Sequence, residues 1–372
     1  MKFAFPKITI YDRYMFKQVF LTSFVAILLF TIVWVAPEML LNIIKGALAG
    51  EYGVKTAIYL FVCELPKILE KAFPVGLLLG SLFTFDKMSK DSELTIFRAV
   101  GMSFPRIVVP VVVMGFLFSL CSFLIGGHLT SKAEDKLMAL RGNVISTQYI
   151  YTQKTKSGYP LMAVVVSQSF ARELHGVIVL DFSNDVYQDV HELSNIYSAE
   201  TGYAYDDRWE LKNVTNYKIS SDGIFKDPKH LDTMNVLNGE SAKNAFMLLT
   251  YSSVKVRDIN NKNLNKYVKL LKKERLTEEY KGMLNKYLQR FVQPFVCLLM
   301  GILGALLGFS KPREQRFIGM VIAIGMIFLY YVTLPLFDLL AEKGVLSPYL
   351  TATLPVLAFM YAICAFYKSK DL

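Results

Sequence analysis

The chain is poor in charged residues, cysteine and histidine. Only 19% of its 372 residues are charged, whereas soluble globular domains average about a quarter, which argues against a single water-soluble domain. The four cysteines all fall in apolar runs and lack the spacing of a disulfide framework or a metal site. Disorder is also excluded, because 27 Phe and 21 Tyr supply too much apolar surface for a disordered chain.

Catalytic motifs are absent as well. The four histidines show no HExxH pattern and no cysteine at metal-ligand spacing. The sequence holds no G-x-S-x-G nucleophile elbow and no Walker A loop ending in Gly-Lys-Ser/Thr. We therefore predict no catalytic residue and no metal ligand on this chain. If the protein moves something uphill, the energy comes from another subunit.

Long apolar runs are what the sequence has instead. Hydrophobic residues make up 53% of the chain, and its mean hydropathy is +0.36. A membrane-spanning helix needs about 20 apolar residues. Five stretches without Lys, Arg, Asp or Glu reach that length: residues 18–37, 107–131, 291–310, 317–337 and 344–367. The first lacks the small-residue cleavage site of a signal peptide, so we interpret it as a permanent anchor.

A sixth span is predicted from charge rather than from length. Residues 72–85 are apolar but short. Lysines and arginines cluster before residue 18 and again over residues 87–106, and the positive-inside rule assigns both clusters to the cytoplasm. A helix over residues 56–85, kinked near Pro66 and Pro74, would return the chain between them. The result is six spans with both termini cytoplasmic.

Two of the apolar stretches contain glycines four residues apart. These are Gly76 with Gly80 and Gly304 with Gly308. In a membrane helix such small residues allow a neighbouring helix to approach closely. We expect close helix contacts at both pairs.

The segment between the third and fourth spans has a different composition. It contains short β-rich runs over residues 148–153, 161–168, 176–182, 196–205, 209–219 and 246–256. Turn-forming Asp206 and Asp207 separate two of them. Short strands with frequent turns predict a sandwich or a jelly roll. The predicted division is 1–131 for the first membrane half, 132–275 for the β domain and 276–372 for the second membrane half.

A basic segment follows the strands. Leu264, Tyr267, Val268 and Leu271 have helical spacing and predict a helix over residues 263–275. From residue 262 to residue 290 there are nine cations against three anions. Two interpretations stay open: a solvated helix face, or a cationic collar for an anionic headgroup, since Lys and Arg bind phosphate by charge and by several donors.

The predicted cytoplasmic loop over residues 86–106 contains a short helix. Ser92 is placed to cap it, Glu93 lies in its first turn, and Gly101 ends it. Leu94 and Phe97 give it apolar contacts. Such a helix is either a docking element for a soluble partner or an interfacial helix lying on lipid.

Several motifs together resemble a known family. They are DRYMFKQVF, FPVGLLLGSLFTF and DSELTIFRAVGMS in the first half, and NLNKYVKLLKKE, VQPFVCLLMGILGALLGF and LAEKGVLSPYLTATLPVLAF in the second. In order and position they resemble the LptF/LptG family of lipopolysaccharide-export permeases. The span count and the position of the insert agree with this resemblance.

The resemblance implies a membrane α-helical bundle of six transmembrane helices, with a periplasmic β-jelly-roll domain inserted between helices 3 and 4. It implies a multi-pass protein of the bacterial inner membrane that extracts lipopolysaccharide and passes it to periplasmic jelly-roll bridge proteins. The implied partners are a cytosolic ABC ATPase dimer and either a second LptF/LptG-type permease or a second copy of this chain. ATP and Mg²⁺ would bind the ATPase, and this chain would bind no cofactor.

The resemblance also implies site residues. Residues 91–101 would be the coupling helix seated in an ATPase groove, with Glu93 as the charged contact, Leu94 and Phe97 as the apolar ones, and Ser92 and Arg98 beside them. The lipid cavity would lie between spans one and five of the two permeases. At the lipid headgroup the resemblance implies Lys45. Because Lys45 is the only basic residue in residues 38–50, we expect Lys281, Lys286 and Arg290 to share this role.

Three other classes of function are weighed against this one. A non-transporting membrane scaffold coupled to an ATPase would share the coupling helix but lack the lipid cavity. A lipid-modifying enzyme would need clustered carboxylates on the insert, where Asp181, Asp185 and Asp189 are spaced by four. The formal net charge of +10 does not indicate nucleic acid, because the cations segregate to the membrane edges.

Overall fold

The computed structural model describes residues 9–48, 53–130, 144–145, 149–154, 159–170, 172–182, 193–219, 226, 228–252, 256, 259–310 and 317–369. The chain forms two compact units. The membrane unit comprises Met1–Ala133 and Glu278–Leu372, and the β unit comprises Glu134–Thr277.

Among the described residues, six helices are long and apolar enough to cross a membrane, which confirms the predicted number of spans. They are α1 (Ile10–Leu48), α2 (Val54–Lys90), α4 (Phe104–Leu124), α7 (Thr277–Gly308), α8 (Phe317–Glu342) and α9 (Pro348–Ser369). The second span is the helix inferred from charge, and Pro66 and Pro74 lie inside it. A short helix, α3 (Glu93–Ala99), follows α2, and a π-helical segment, Ile125–Leu129, continues α4.

Helix α2 lies at the centre of the membrane unit and meets α1 and α7 at glycine. A Cβ built on Gly80 would collide with Ser23 of α1, and one on Gly304 would collide with Ser81 and the Leu78 carbonyl of α2. Polar bonds accompany these approaches: the Ser81 hydroxyl donates to the Gly301 carbonyl at 2.9 Å. Both predicted glycine contacts are therefore present.

The described residues of the β unit form one antiparallel sheet of seven strands. The strands are β1 (Val144–Ile145), β2 (Tyr149–Lys154), β3 (Pro160–Phe170), β4 (Glu173–Phe182), β5 (Leu193–Ala204), β6 (Arg208–Lys218) and β7 (Lys229–Asn238). From β2 to β7 each strand pairs with the next along the chain, and β1 also pairs with β3. A jelly roll needs two facing sheets, so the predicted inserted β domain is confirmed, while the jelly roll stays a prediction.

The strand predicted over residues 246–256 is wrong. Its first part belongs to helix α5 (Glu240–Ser252), whose buried residues are Ala242, Ala245, Leu248 and Leu249. This is the spacing of one helix face. The apolar run suited either structure, and packing against the sheet favours the helix: the indole N–H of Trp209 donates to the Ala242 carbonyl at 3.2 Å. The final strand, β7, was missed because it is mostly polar and exposed.

Helix α6 (Asn261–Lys273) confirms the helix expected from spacing. Leu264, Tyr267, Val268 and Leu271 are all buried, and the Tyr267 ring lies 5.6 Å from that of Tyr251 on α5. The apolar face of α6 is therefore covered within the β unit, and its lysines point outward.

Candidate docking helix and lipid-contact residues

The docking candidate is α3, which is fixed at both ends by turns. Gly101 has φ +90°, and the N–H groups of Gly101 and Met102 donate to the carbonyls of Arg98 at 2.9 Å and Phe97 at 3.0 Å. These two bonds form a Schellman motif, so Gly101 ends the helix as predicted. Ser92 precedes the helix but does not cap it: it is left-handed, with φ +61°, and its side chain makes no cap hydrogen bond.

The apolar residues expected to contact a partner point into the membrane unit instead. Leu94 is 2% exposed and lies in an apolar core with Met15, Phe85 and Phe104. Phe97 is partly buried against the same core, and its ring centroid lies 4.7 Å from that of Tyr11. These two side chains seat α3 on the bundle, and Leu94 is too buried to reach a soluble partner.

The charged residues of α3 are also engaged by the bundle. The Tyr14 hydroxyl of α1 lies 3.2 Å from each carboxylate oxygen of Glu93, to which it donates. The Arg98 guanidinium lies 5.6 Å from the centre of the Phe309 ring, beyond α7. Glu93 is thereby held in one orientation by the first span.

The face of α3 that is free for a partner carries other residues. Ile96 is 60% exposed, and Val100, just after the helix, is 78% exposed. Thr95 and Ala99 are exposed beside them. This small apolar face, Ile96 with Val100, has the chemistry for docking that the sequence assigned to Leu94 and Phe97.

The end of the bundle that carries α3, called here the α3 end, is braced by an ion pair. Arg106 of α4 meets Asp12 of α1 through two hydrogen bonds, each 2.6 Å long. The Tyr11 hydroxyl donates to the Ile107 carbonyl at 2.8 Å. α3 therefore sits on α1 and α4 ends that are themselves fastened together.

The four predicted headgroup residues lie on two helices. Lys45 is exposed near the end of α1. Lys281, Lys286 and Arg290 are half-buried on the first turns of α7. A helix turns about 100° per residue, so Lys286 and Arg290 share a face while Lys281 points elsewhere, against Gly344. The structure brings two of the four together on one surface.

The described residues give little support to the lipid-modifying enzyme alternative. Asp181 lies on β4, and Asp185 and Asp189 lie outside the described residues. Within the described ranges, no group of three His, Cys, Asp or Glu side chains could hold a metal ion.

Comparison with known proteins decides the family. The model for the lipopolysaccharide export system permease LptF/LptG matches residues 13–369. The chain belongs to the LptF/LptG family.

Curated relatives of this LptF/LptG chain are distant but of nearly full length. The lipopolysaccharide export system permease protein LptG of Escherichia coli strain K12 is 23% identical over 364 residues, covering 94% of this chain and 95% of that protein. The LptG protein of Escherichia coli O6:H1 gives the same values. The match therefore includes both the membrane unit and the β unit.

Sequence reasoning missed Tyr11 and Tyr14 as parts of this LptF/LptG site. They lie three residues apart on α1, a spacing that places them on one helix face. Both reach α3, one at Phe97 and the other at Glu93. Their spacing indicates a shared helix face. It does not indicate the partner, because Glu93 of α3 lies 79 residues from Tyr14 in sequence.

Proposed function

We propose that this chain is the membrane subunit of an ABC transporter that extracts lipopolysaccharide from the bacterial inner membrane and passes it to jelly-roll bridge proteins. It works with a cytosolic ATPase dimer and a second permease of its kind, or a second copy of itself. Both termini and α3 face the cytoplasm, and the β unit, completed as a jelly roll, faces the periplasm.

The observation that carries the proposal is the seating of α3. Its inward residues, Leu94 and Phe97, anchor it in the bundle core, while Ile96 and Val100 stay exposed. A soluble partner that grips this exposed face would push on the bundle itself. The Glu93 carboxylate accepts a hydrogen bond from the Tyr14 hydroxyl of α1, so the same push would also act on the first span.

The surfaces of α1 and α8 support a lipid path. Only 22% of the most apolar part of α1, as of α9, and 11% of that of α8 is buried, against 67% for α2. Large apolar side chains such as Val33 and Phe328, each 70% exposed, are open on them. Lys45, Lys286 and Arg290 would meet the phosphates at the end of these helices away from α3.

Such a path answers an energetic need. Each acyl methylene moved from the bilayer into water costs roughly 0.8 kcal/mol, so a lipid with several acyl chains cannot leave unassisted. An apolar channel with a cationic rim keeps the chains out of water while the phosphates stay paired. Closure of the paired permeases, driven by the ATPase, would supply the force.

The test of docking compares two residues on opposite faces of α3. Ile96→Asp should abolish copurification of the ATPase while the membrane unit stays folded, because Ile96 faces outward. Leu94→Asp should instead destroy the folded membrane unit, because it buries a carboxylate in the core. Intact ATPase binding by Ile96→Asp would refute this docking face.

The test of transport separates it from the scaffold alternative. Photocrosslinkers at Leu29 of α1 and Phe328 of α8 should form lipopolysaccharide adducts, and one at the equally exposed Phe116 of α4 should form few. The purified complex should hydrolyse ATP faster with lipopolysaccharide present. ATPase binding without adducts or stimulation would favour a non-transporting scaffold.

A further inference from the structure

A polar cluster joins three spans at the end of the bundle away from α3. Asp338 of α8 accepts, at its Oδ1 atom, hydrogen bonds from the side-chain amides of Asn285 and Gln289 of α7, both at 2.8 Å. The Thr351 hydroxyl of α9 donates to the Asn285 side-chain oxygen, also at 2.8 Å. These four residues are called the Asp338 cluster.

The direction of these bonds makes Asp338 the element that the others depend on. Asn285 and Gln289 are 0% and 8% exposed, and Thr351 is 0% exposed. The side-chain amide N–H groups of Asn285 and Gln289 are buried, so they need an acceptor from another helix. Either protonation state of Asp338 leaves Oδ1 able to accept. An apolar residue at this position would leave two amides unpaired.

The charges around the cluster are mixed. Lys286 of α7 is close enough to Asp338 to attract it, and Glu342 of α8 is close enough to repel it. Lys286, one of the residues proposed to meet the lipid phosphates, therefore lies near the cluster. Ionisable residues near a lipid phase are costly and call for a functional reason.

We propose that Asp338 is a positioning residue for lipid extraction: it fastens the end of α8 to α7 and α9, so that α8 moves away from the first span of the second permease only together with those two helices. This inference rests on the proposed function, in which α8 lines the lipid path. α8 needs such a fastening, since it has the smallest buried share of the six spans. Elsewhere on α8, the Thr333 hydroxyl bonds to carbonyls of its own helix, and the Tyr331 hydroxyl donates to the Lys71 carbonyl of α2 at 2.8 Å.

Amide hydrogen exchange of the full chain in nanodiscs tests the fastening. Asp338→Leu should speed exchange over residues 336–342 roughly tenfold, the effect of losing two hydrogen bonds between membrane helices. Asp338→Asn should behave like the wild type, because its amide oxygen can still accept. Thr333→Val is the matched control and should change nothing. Unchanged exchange in Asp338→Leu would overturn the proposal, and rapid exchange in Asp338→Asn would overturn the role of the acceptor.

A second readout separates positioning from a merely structural role. In the assembled complex, Asp338→Leu should lose lipopolysaccharide-stimulated ATP hydrolysis and keep the basal rate. Equal loss of both rates would mean that Asp338 only supports folding. If Asp338→Leu does not fold, Asn285→Leu replaces it, with a smaller rise in exchange expected over the same residues and no rise counting against the cluster. The exchange experiment tests the cluster even if the wild-type complex does not respond to lipopolysaccharide. Failure of the cluster proposal can therefore be distinguished from failure of the proposed transport function.

Discussion

The membrane unit and the β unit bring their helices and strands together in different ways. In the membrane unit, glycines bring backbones together, as at Gly80 against Ser23 of α1. In the β unit, the interior is filled by large side chains on alternating positions, and Trp209 and Leu211 of β6 are both 0% exposed. In lipid, apolar side chains are stable on the protein surface, so the interfaces between helices are recognised by their small residues. In water, alternation of apolar residues marks them.

The largest effect is expected from filling one of the glycine contacts. Gly304→Leu should remove the folded chain from the membrane, because its Cβ would meet the Leu78 carbonyl. Overpacking destabilises a fold by about 1–3 kcal/mol even where neighbouring side chains can move. The cost here should be larger, because the Leu78 carbonyl is fixed in a helix. Gly325→Leu on α8 is the control, since nothing lies within 4 Å of its Cβ. Equal yields of the two folded variants would contradict the close-contact argument.

The converse change in the β unit removes a large side chain. Trp209→Ala should destabilise this unit by about 3–5 kcal/mol, the usual cost of such a truncation, and expose it to protease. The half-exposed Ile178 of β4 supplies the control variant, Ile178→Ala. Limited proteolysis with mass spectrometry should find new cuts in the β unit while the six spans stay intact. Protease resistance in Trp209→Ala would show that the indole is not central to this core.

Ion pairs in the two units are expected to have smaller effects on stability. Arg106→Met should cost the membrane unit about 2 kcal/mol, because the pair with Asp12 has two bonds and its side chains are only 28% and 17% exposed. Arg172→Met in the β unit should cost less than about 0.5 kcal/mol, since its partner Asp206 is 81% exposed. Thermal unfolding in detergent measures both. A larger loss for Arg172→Met would reverse the ranking.

The smallest effect is expected from a surface pair in the β unit, Glu240 with Lys273, 2.6 Å apart. Lys273 lowers the pKa of Glu240, and Glu240 raises that of Lys273. The contribution of Glu240 is therefore present above the ordinary glutamate pKa of about 4.3 and is lost as the pH falls through the lowered value in the folded state. Glu240→Gln should lower the thermal midpoint slightly at neutral pH and not at all in strong acid. Glu200→Gln on β5 is the control, and a difference that grows on acidification would contradict the sign.

Much of the fold could be predicted because its signals are periodic or cumulative. The six spans followed from apolar length and charge, and the buried face of α6 followed from the spacing of Leu264, Tyr267, Val268 and Leu271. The region over residues 246–256 failed, because a short apolar run suits a strand and a helix equally. The choice between them is made by contact with Trp209, which the local sequence does not contain.

The docking helix shows why a site is harder to predict than a span. The sequence located α3 and its terminating Gly101, but it assigned Leu94 and Phe97 to a partner although they face the core. A helix of seven residues with apolar residues on both sides has no periodic signal of inside and outside. Tyr14 and Asp338 escaped notice for a related reason, because their partners come from distant parts of the chain.

The central helix α2 has a mechanical consequence. Where Gly80 and Gly304 bring three helices together at the level of the main chain, no layer of soft side chains remains to absorb a displacement. Helix α3 begins two residues after the end of α2. A force on α3 would therefore displace α2 as a rigid body and move the helices of both membrane halves with it.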